Sequence, residues 1–457
     1  VNLRELQAQL ARYDLQPSRK LGQCFLVDEN QASWIARQID PQPADVVVEV
    51  GPGFGALTAH LAGKVGRLVL VEKDGRLVDF LRERYGGEGS GVEIVHGDAT
   101  AYDPRPLFRE GGVKFIGNLP YSSGNAILQR FLDAPSPVTN AVVMVQKEVA
   151  DRLCAEPRSK DYGVLGLVMQ ERWDITHLKT IGPRGFHPQP EVDSSVVRLD
   201  PRSPGALPPH CPEVFVKTVK LGFSQRRKQL RNNLQIDREI WDPWCAEFGW
   251  KPGVRAEELS ITEWVELANR IEPHPCAGLP PSSTEELEVV DANDEVTGRL
   301  PRREIHERKL LHRAVHVFVT SRHRDEIFLQ KRSLMKDTHP GKWDSSASGH
   351  VDPGESYLAC AERELWEEIW VRPAESLERV VRLEAGEETD QEFIEVFETR
   401  AAGRIRIHGK EIDCGRFFPV EEVERWIAAR PEDFATGFRT CFGAWRRREK
   451  QDEKGRA

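Results

Sequence analysis

Three groups of residues in this chain of 457 have types and spacings that suit chemistry. The first is Glu49-Val-Gly51-Pro-Gly53-Phe-Gly55, which follows an apolar run and opens a helical pattern. Glycines there let the backbone turn tightly and approach a ligand, with helix-end N–H groups facing it. Glu72 ends the next apolar run, 21 positions after Gly51, where a carboxylate can accept from ribose hydroxyls. Asp98-Ala99 follows the run after that, placed to reach an adenine amino group. These features fit either a dinucleotide or S-adenosylmethionine. The second group is Glu364, Glu367 and Glu368, whose i, i+3, i+4 spacing sets three carboxylates on one helix face. Such carboxylates repel one another unless a cation joins them. Hard oxygen ligands select Mg²⁺ or Mn²⁺, which can bridge a diphosphate and activate water. The third is Arg226-Arg227-Lys228 with Arg231, a cationic run that suits phosphates or, alternatively, forms a solvated helix face.

A chain of this length holds two or three domains at ~150 residues each. Its 39% hydrophobic and 30% charged residues read as globular rather than fibrous or disordered. No run approaches the ~20 apolar residues that cross a bilayer. The first residues show neither a signal-peptide core nor a transit pattern. The eight cysteines are scattered without a CxxC pair and read as reduced thiols, which predicts a cytoplasmic protein with no membrane partner. Residues 1–275 carry 34 basic against 36 acidic side chains, and residues 276–457 carry 30 against 37. Segment 201–250 is locally cationic (8 against 5) and segment 351–400 strongly acidic (15 against 5). One half therefore offers a surface for polyanions, the other a carboxylate cluster.

Short continuous β-branched runs at 45–50, 67–72, 92–96, 113–117 and 141–145 read as buried parallel strands. Helical patterns lie between them, which predicts a doubly wound α/β sheet. β-rich pieces at 171–182 and 194–200 are expected to close it as a hairpin. Residues 201–271 turn helical, and the proline-rich segment 272–284 reads as a linker. Strands are then expected around 286–291, 312–320, 326–332, 378–384 and 392–400. A Gly/Ser/Pro-rich loop precedes a helix over 355–369, and another helix covers 420–429. The charged tail from Arg446 is expected to fray. The expected layout is 1–200, 201–271, a linker at 272–284, and 285–457.

Further motifs join the first group: Gly22-Gln23-Cys24-Phe25-Leu26, Asn118-Leu119-Pro120-Tyr121, QKEVADRL, SKDYGVLGLVMQ, Phe186-His-Pro188-Gln-Pro190-Glu-Val-Asp193-Ser194 and RRKQLRNNL. Through residues 18–270 the chain resembles the rRNA adenine-N6,N6-dimethyltransferases, which dimethylate two adjacent adenosines near the 3′ end of small-subunit (16S) rRNA. The resemblance implies a Rossmann-like class I methyltransferase sheet with a helical C-terminal subdomain. It also implies S-adenosylmethionine as cofactor and the immature 30S subunit as partner. Cofactor contacts are implied for Gln23, Cys24, Phe25, Leu26, Glu49, Gly51, Gly53, Gly55, Glu72, Asp98, Ala99 and Asn118. The Asn118 amide oxygen and a backbone carbonyl of Leu119 or Pro120 would accept the two N–H bonds of the adenine amine. Its nitrogen then moves toward tetrahedral and its lone pair can attack a sulfonium methyl in line. Tyr121 would stack on the base, with Phe186 as the partner aromatic, and the base must be unpaired or flipped out to arrive there. Arg226, Arg227, Lys228 and Arg231 would meet rRNA phosphates. Cys24 departs from the Asn or His usual at its position and implies a weaker cofactor contact. Two alternatives stay open: an antibiotic-resistance-type methyltransferase of large-subunit rRNA, and an assembly factor that binds without methylating. NLPY and RRKQLRNNL weigh against the first, the intact cofactor motifs against the second.

Gly349-His350-Val-Asp-Pro-Gly354-Glu355 and Arg363-Glu364-Leu365-Trp366-Glu367-Glu368 resemble the Nudix box, GX5EX7REUXEEXGU. That implies an α/β/α domain and Mg²⁺- or Mn²⁺-dependent hydrolysis of a nucleoside-diphosphate-type small molecule. Glu364, Glu367, Glu368, Gly349 and His350 would lie at the metal, with an Arg363–Glu355 pair bracing the loop. Trp370 replaces the Gly expected after the glutamates, which predicts an altered helix exit. Residues 285–371 also resemble the isopentenyl-diphosphate-isomerase-like branch, through VVDANDEVTG, His312-Arg313-Ala314, Gln330-Lys331-Arg332-Ser333 and Pro340-Gly341-Lys342-Trp343-Asp344. This branch implies a second cation site from His306, His312 and His350, and phosphate contacts from Arg313, Lys331 and Arg332. The isomerase cysteine is absent from Ser345-Ser346-Ala347-Ser348, so hydrolysis and not isomerisation is expected. A Nudix fold retained only to bind RNA or protein is the alternative.

Overall fold

The computed structural model describes residues 3–17, 23–278, 285–373, 376–400 and 403–456, the last five of these as backbone only. Gly22 of the GQxFL motif and residues 279–284 of the expected linker lie outside the described residues. The chain divides into two compact units, the first running to Leu207 and including Val216–Trp264, the second comprising Pro208–Phe215 and the chain from Val265.

In the first unit the β-branched runs become strands because helices cover both of their faces. The strands are β1 (Phe25–Leu26), β2 (Val46–Val50), β3 (Arg67–Glu72), β4 (Val92–His96), β5 (Val113–Asn118), β6 (Val138–Gln146), β7 (Trp173–Ile181), β8 (Phe186–His187) and β9 (Ser194–Pro201). Seven form a sheet in the order β4-β3-β2-β5-β6-β9-β7. The first five are parallel, and β9 and β7 close the edge antiparallel, the hairpin the sequence predicts. Alternation divides the core: Val69 and Val71 of β3 face one apolar cluster, Leu68 and Leu70 the other. β1 and β8 form a separate two-stranded ribbon, pairing Leu26 with Phe186.

The segment after β9 that reads as helical is interrupted within its first piece. A helix over Pro212–Gly222 stops and another begins at Leu230, with the basic run in the turn between them. Gly222 packs where a Cβ would collide with the Trp264 ring. Asn233 Nδ2 donates to the Gly222 and Gln225 carbonyls at 2.5 and 3.0 Å, satisfying groups the helix end leaves open.

The second unit holds β10 (Glu286–Val290), β11 (Val296–Pro301), β12 (His312–Thr320), β13 (Glu326–Arg332), β14 (Trp343–Asp344), β15 (Ala347–His350), β16 (Glu378–Leu383), β17 (Glu392–Arg400) and β18 (Ile412–Pro419). Its main sheet is mixed: β14-β13-β12-β17-β16, with β15 on β12, β18 on β13, and β12 parallel to β17. We label the two helices that sandwich it α1 (Tyr357–Ile369) and α2 (Thr436–Arg456). Val315, Val317 and Val319 meet Cys360, Ala361, Leu365 and Ile369 of α1 in one cluster. Phe318 points the other way, onto Phe438, Phe442 and Trp445 of α2 at centroid distances of 6.1, 6.4 and 5.4 Å. The tail expected to fray from Arg446 is therefore the second half of α2, where Arg446 bridges Glu424 and Glu449 at 3.1 and 2.9 Å. Among the described residues no helix is long and apolar enough to cross a membrane.

Candidate functional sites

The carboxyl ends of β2, β3, β4 and β5 open on one cavity of about 200 Å³, the position where open parallel sheets take ligands. Gln23, Cys24, Phe25, Leu26, Glu49, Gly51, Gly53, Glu72, Asp98, Ala99 and Asn118–Tyr121 line it. Gly53 has φ of +57°, and a Cβ there would press on the Phe25 ring at 3.0 Å, so this turn requires glycine. Its N–H donates to Glu72 Oε2 at 3.1 Å, while the N–H groups of Lys73 and Asp74 reach Oε1 at 2.8 and 2.9 Å. Burial pushes the Glu72 carboxyl up, against these three donors. Burial also pushes Glu49 up to about 8, with Thr58 Oγ1 donating to it at 2.8 Å. Asp98 is held at about 2 by Lys73 Nζ, 2.6 Å away, and by Thr100. Three carboxyl groups around one cleft suit a ligand with both positive charge and hydroxyl groups, as S-adenosylmethionine has. Lys73 is a cavity residue the motifs did not single out, although it directly follows Glu72.

Asn118 is oriented by the motif next to it in space. Its Nδ2 donates to the Cys24 carbonyl at 3.0 Å, which leaves Oδ1 to accept. Position 24 contributes this contact through its backbone, so the departure to Cys leaves it intact. The Pro120 carbonyl already accepts from Ser123 and Gly124 at 3.1 and 2.8 Å. Tyr121 is half-buried, its hydroxyl 2.6 Å from Ser194 Oγ.

Two expected site residues are placed elsewhere. Phe186 is 2% exposed and absent from the cavity wall, because its pairing with Leu26 turns the ring into the core. Gly55, at φ +74°, packs against Tyr85 and does not line the cavity. In the basic turn, Arg227 and Lys228 are exposed. Arg226 is tied to Glu257 at 2.9 Å and the Ser159 carbonyl at 3.1 Å, and Arg231 reaches the Ile236 carbonyl at 3.4 Å.

A larger cavity of about 720 Å³ in the second unit gathers Glu364, Glu367, Glu368, Gly349 and His350. A Cβ on Gly349 would collide with the Glu364 carboxylate, so a side chain there would displace that carboxylate from its place. Arg363 donates to Glu355 from Nε and Nη2 at 3.1 and 3.0 Å, and from Nη1 to Glu364 and Glu367 at 2.7 and 3.1 Å. The expected Arg363–Glu355 brace is present in this geometry, and the same guanidinium balances the metal-face carboxylates. Glu368 accepts from Gln330 Nε2 at 2.8 Å and the Ser348 N–H at 3.0 Å. Burial pushes Glu364 and Glu368 above the usual carboxylate range. Buried, crowded carboxylates of this kind fit a hard divalent cation.

Trp370 does not alter the helix exit. It takes the left-handed conformation, φ +54°, that the expected Gly would take. The Trp370 N–H reaches the Trp366 carbonyl at 3.2 Å, the bond of an αL termination, and the Val371 N–H reaches the Leu365 carbonyl at 3.1 Å. Of the three expected phosphate contacts, only Arg332 lines the cavity. Alternation turns Arg313 to Asp294 at 2.6 Å, and Lys331 also stays off the wall. Arg302 and Lys336 line it instead; the second follows Arg332 by four residues, a spacing the sequence displays.

His306, His312 and His350 converge, their ring nitrogens all within 4.8 Å of one another. Glu392 Oε1 lies 3.5 Å from His312 Nε2 and 3.3 Å from His350 Nε2. Burial alone would raise Glu392, but these imidazoles hold it below the usual range. Burial pushes His350 down to about 3. His306 Nε2 and His312 Nε2 are buried and lack a well-formed hydrogen bond, which fits ligand nitrogens. Glu392 carries no local motif, and only the β12–β17 register brings it opposite His312. The cavity also has a buried thiol, Cys276, from the segment expected to be linker.

The fold and the two sites define an RNA-adenine methyltransferase unit joined to a Nudix unit. The chain belongs to the ribosomal RNA adenine dimethylase family, whose model matches residues 15–272, and it carries a NUDIX domain matched over residues 310–436. Ribosomal RNA small subunit methyltransferase A of Prosthecochloris aestuarii is 39% identical over 267 residues, 58% of this chain and 98% of the relative. The protein of that name from Geobacter metallireducens is 42% identical over 258 residues, 55% and 94% of the two. Among solved structures, the 23S rRNA methyltransferase ErmE is 27% identical with a TM-score of 0.45, covering 54% of this chain and 98% of that one.

Proposed function

We propose that the first unit dimethylates two adjacent adenosines near the 3′ end of small-subunit rRNA, using S-adenosylmethionine. The orientation of Asn118 carries this reading. With Nδ2 on the Cys24 carbonyl, Oδ1 accepts one N–H of the target amine. The Leu119 carbonyl accepts the other, since Pro120's is occupied. Two acceptors draw the nitrogen toward tetrahedral and free its lone pair. The cofactor supplies the electrophilic methyl; Glu72 would hold its ribose and Asp98 its adenine amine, and Glu49 would give up its proton to balance the sulfonium charge. Tyr121, pinned by Ser194, stacks on the base. Arg227 and Lys228 meet phosphates from the turn within a 201–271 rRNA-binding subdomain. The names of the relatives at 39 and 42% identity support the small-subunit target over the large-subunit one. Asn118→Ala and Tyr121→Ala should each abolish methyl incorporation into immature small subunits while the thermal transition stays in place. Wild-type transfer by both would remove the assignment.

We propose further that the second unit, with Cys276 of the expected 272–284 linker in its cavity wall, hydrolyses a nucleoside-diphosphate-type substrate with Mg²⁺ or Mn²⁺. Glu364, Glu367 and Glu368 would hold the cation, which supplies charge neutralisation and an activated water. Arg302, Arg332 and Lys336 would receive the phosphates, and His306, His312, His350 and Glu392 a second cation. The ordinary helix exit at Trp370 supports catalysis over a binding-only module. Glu367→Gln should abolish Mg²⁺-dependent phosphate release; equal release by that variant would sink the metal face.

A further inference from the structure

β12 directs His312, Ala314, His316 and Phe318 to one side of its sheet. His312 belongs to the histidine–glutamate group and Phe318 to the core under α2, whereas His316 has no role so far. It is 6% exposed and lines the same cavity as the metal-face glutamates.

Its hydrogen bonds fix which nitrogen does what. Nδ1 lies 2.7 Å from Ser345 Oγ. That hydroxyl lies 3.2 Å from Asp344 Oδ1 and 3.3 Å from the Ala347 carbonyl, groups that accept. Arg332 Nη1 donates to Asp344 Oδ2 at 3.0 Å. Ser345 therefore gives its proton away and accepts from His316 Nδ1–H, which leaves a lone pair on Nε2. Burial favours this neutral ring. Nε2 is turned to Gly437, where an added Cβ would sit 3.3 Å from it, so a side chain at 437 would cover the nitrogen. Among the described residues no donor meets Nε2. Ala314, Ala435 and Phe438 are also among the cavity's lining and are almost fully buried.

An acceptor of this kind is lost on a hydrocarbon and satisfied by a polar edge. We propose that His316 sets the specificity of the hydrolase site, with Nε2 accepting an N–H or O–H from the organic part of the diphosphate. A nucleobase edge carries N–H groups that such an acceptor can take, whereas a prenyl chain carries none. The substrate class is then nucleoside diphosphate derivatives and not prenyl diphosphates. This inference rests on the hydrolase reading above.

The test uses the full chain with Mg²⁺ and four probes: ADP-ribose, UDP-glucose, GDP-mannose and isopentenyl diphosphate. At least one nucleotide should be hydrolysed and isopentenyl diphosphate left. His316→Leu should raise KM for that nucleotide about ten- to a hundredfold with kcat nearly unchanged. His316→Gln, whose Oε1 can accept, should restore most of the affinity. Glu367→Gln should lose kcat and keep nucleotide binding by calorimetry with Ca²⁺. Absence of hydrolysis for all probes would overturn the hydrolase reading alone, because the Ca²⁺ titration still decides for His316. Preference for isopentenyl diphosphate, no nucleotide binding by the wild type, or equal nucleotide affinity in wild type and His316→Leu would overturn the inference.

Discussion

Glu49 sits beneath the glycine turn at 1% exposure, with Thr58 as its side-chain donor. Burial lifts its carboxyl to about 8. Between the ordinary carboxylate range and that value, the folded chain holds a proton that the unfolded chain has released. Folding takes up a proton across this window, so stability falls as pH rises through it. Glu49→Gln removes the titration. Its Tm should drop less than the wild type's between about pH 5 and pH 8, measured by scanning calorimetry in the absence of ligand; parallel curves would refute a protonated Glu49. At this scale the sequence displays residue identity well and side-chain direction poorly. The NLPY and glutamate motifs were legible, and both reach cavities. Phe186 and Arg313 were legible as motif members too, but the Leu26 pairing and the β12 alternation turn them away. Such directions follow from register, which is set by contacts distant in sequence.

The elements divide in the same way. The β-branched runs of the first unit announce buried strands because both faces are apolar. β14, β15 and β18 are short or carry Ser, Gly and Arg, and they exist as strands because β12 and β13 offer edges to pair with. α2 was not read from the sequence: Phe438, Phe442 and Trp445 are spaced for one helix face, but its charged second half reads as a fraying tail. Trp370 shows that a motif position can change its residue and keep its backbone. A non-glycine residue in the left-handed region costs about 1 kcal/mol or more. The Trp370 ring offsets this by packing 4.5 Å from the Arg406 guanidinium and 5.9 Å from Trp366. Trp370→Ala keeps the strained backbone and loses the ring; Trp370→Gly loses both. Urea titration should therefore find the Gly variant more stable than the Ala variant by about 1 kcal/mol. The opposite order would mean that the helix does not end in this conformation.

For the whole molecule, the two cavities draw their walls from different units. The two chemistries should therefore separate cleanly. Asn118→Ala should silence methyl transfer and leave diphosphate hydrolysis at the wild-type rate; Glu367→Gln should do the reverse, both assayed on one preparation. Loss of both activities in either variant would show that the sites depend on each other. The split charge has the same logic. The acidic excess of residues 276–457 suits the proposed cation site, and the cationic turn at 226–228 stands apart from it in sequence. Neither partner class could be read from the net charge of −9.

Arg363 has a consequence for how the second unit answers its surroundings. It grips Glu355 with one side of its guanidinium and Glu364 and Glu367 with the other. The protein thus carries its own tethered counter-ion, and an incoming divalent ion has to compete with it. Under the metal reading proposed above, occupancy would follow the free ion concentration and be reversible. Chelation would leave the carboxylates paired rather than bare, so the ion could be withdrawn and returned as a dial on activity.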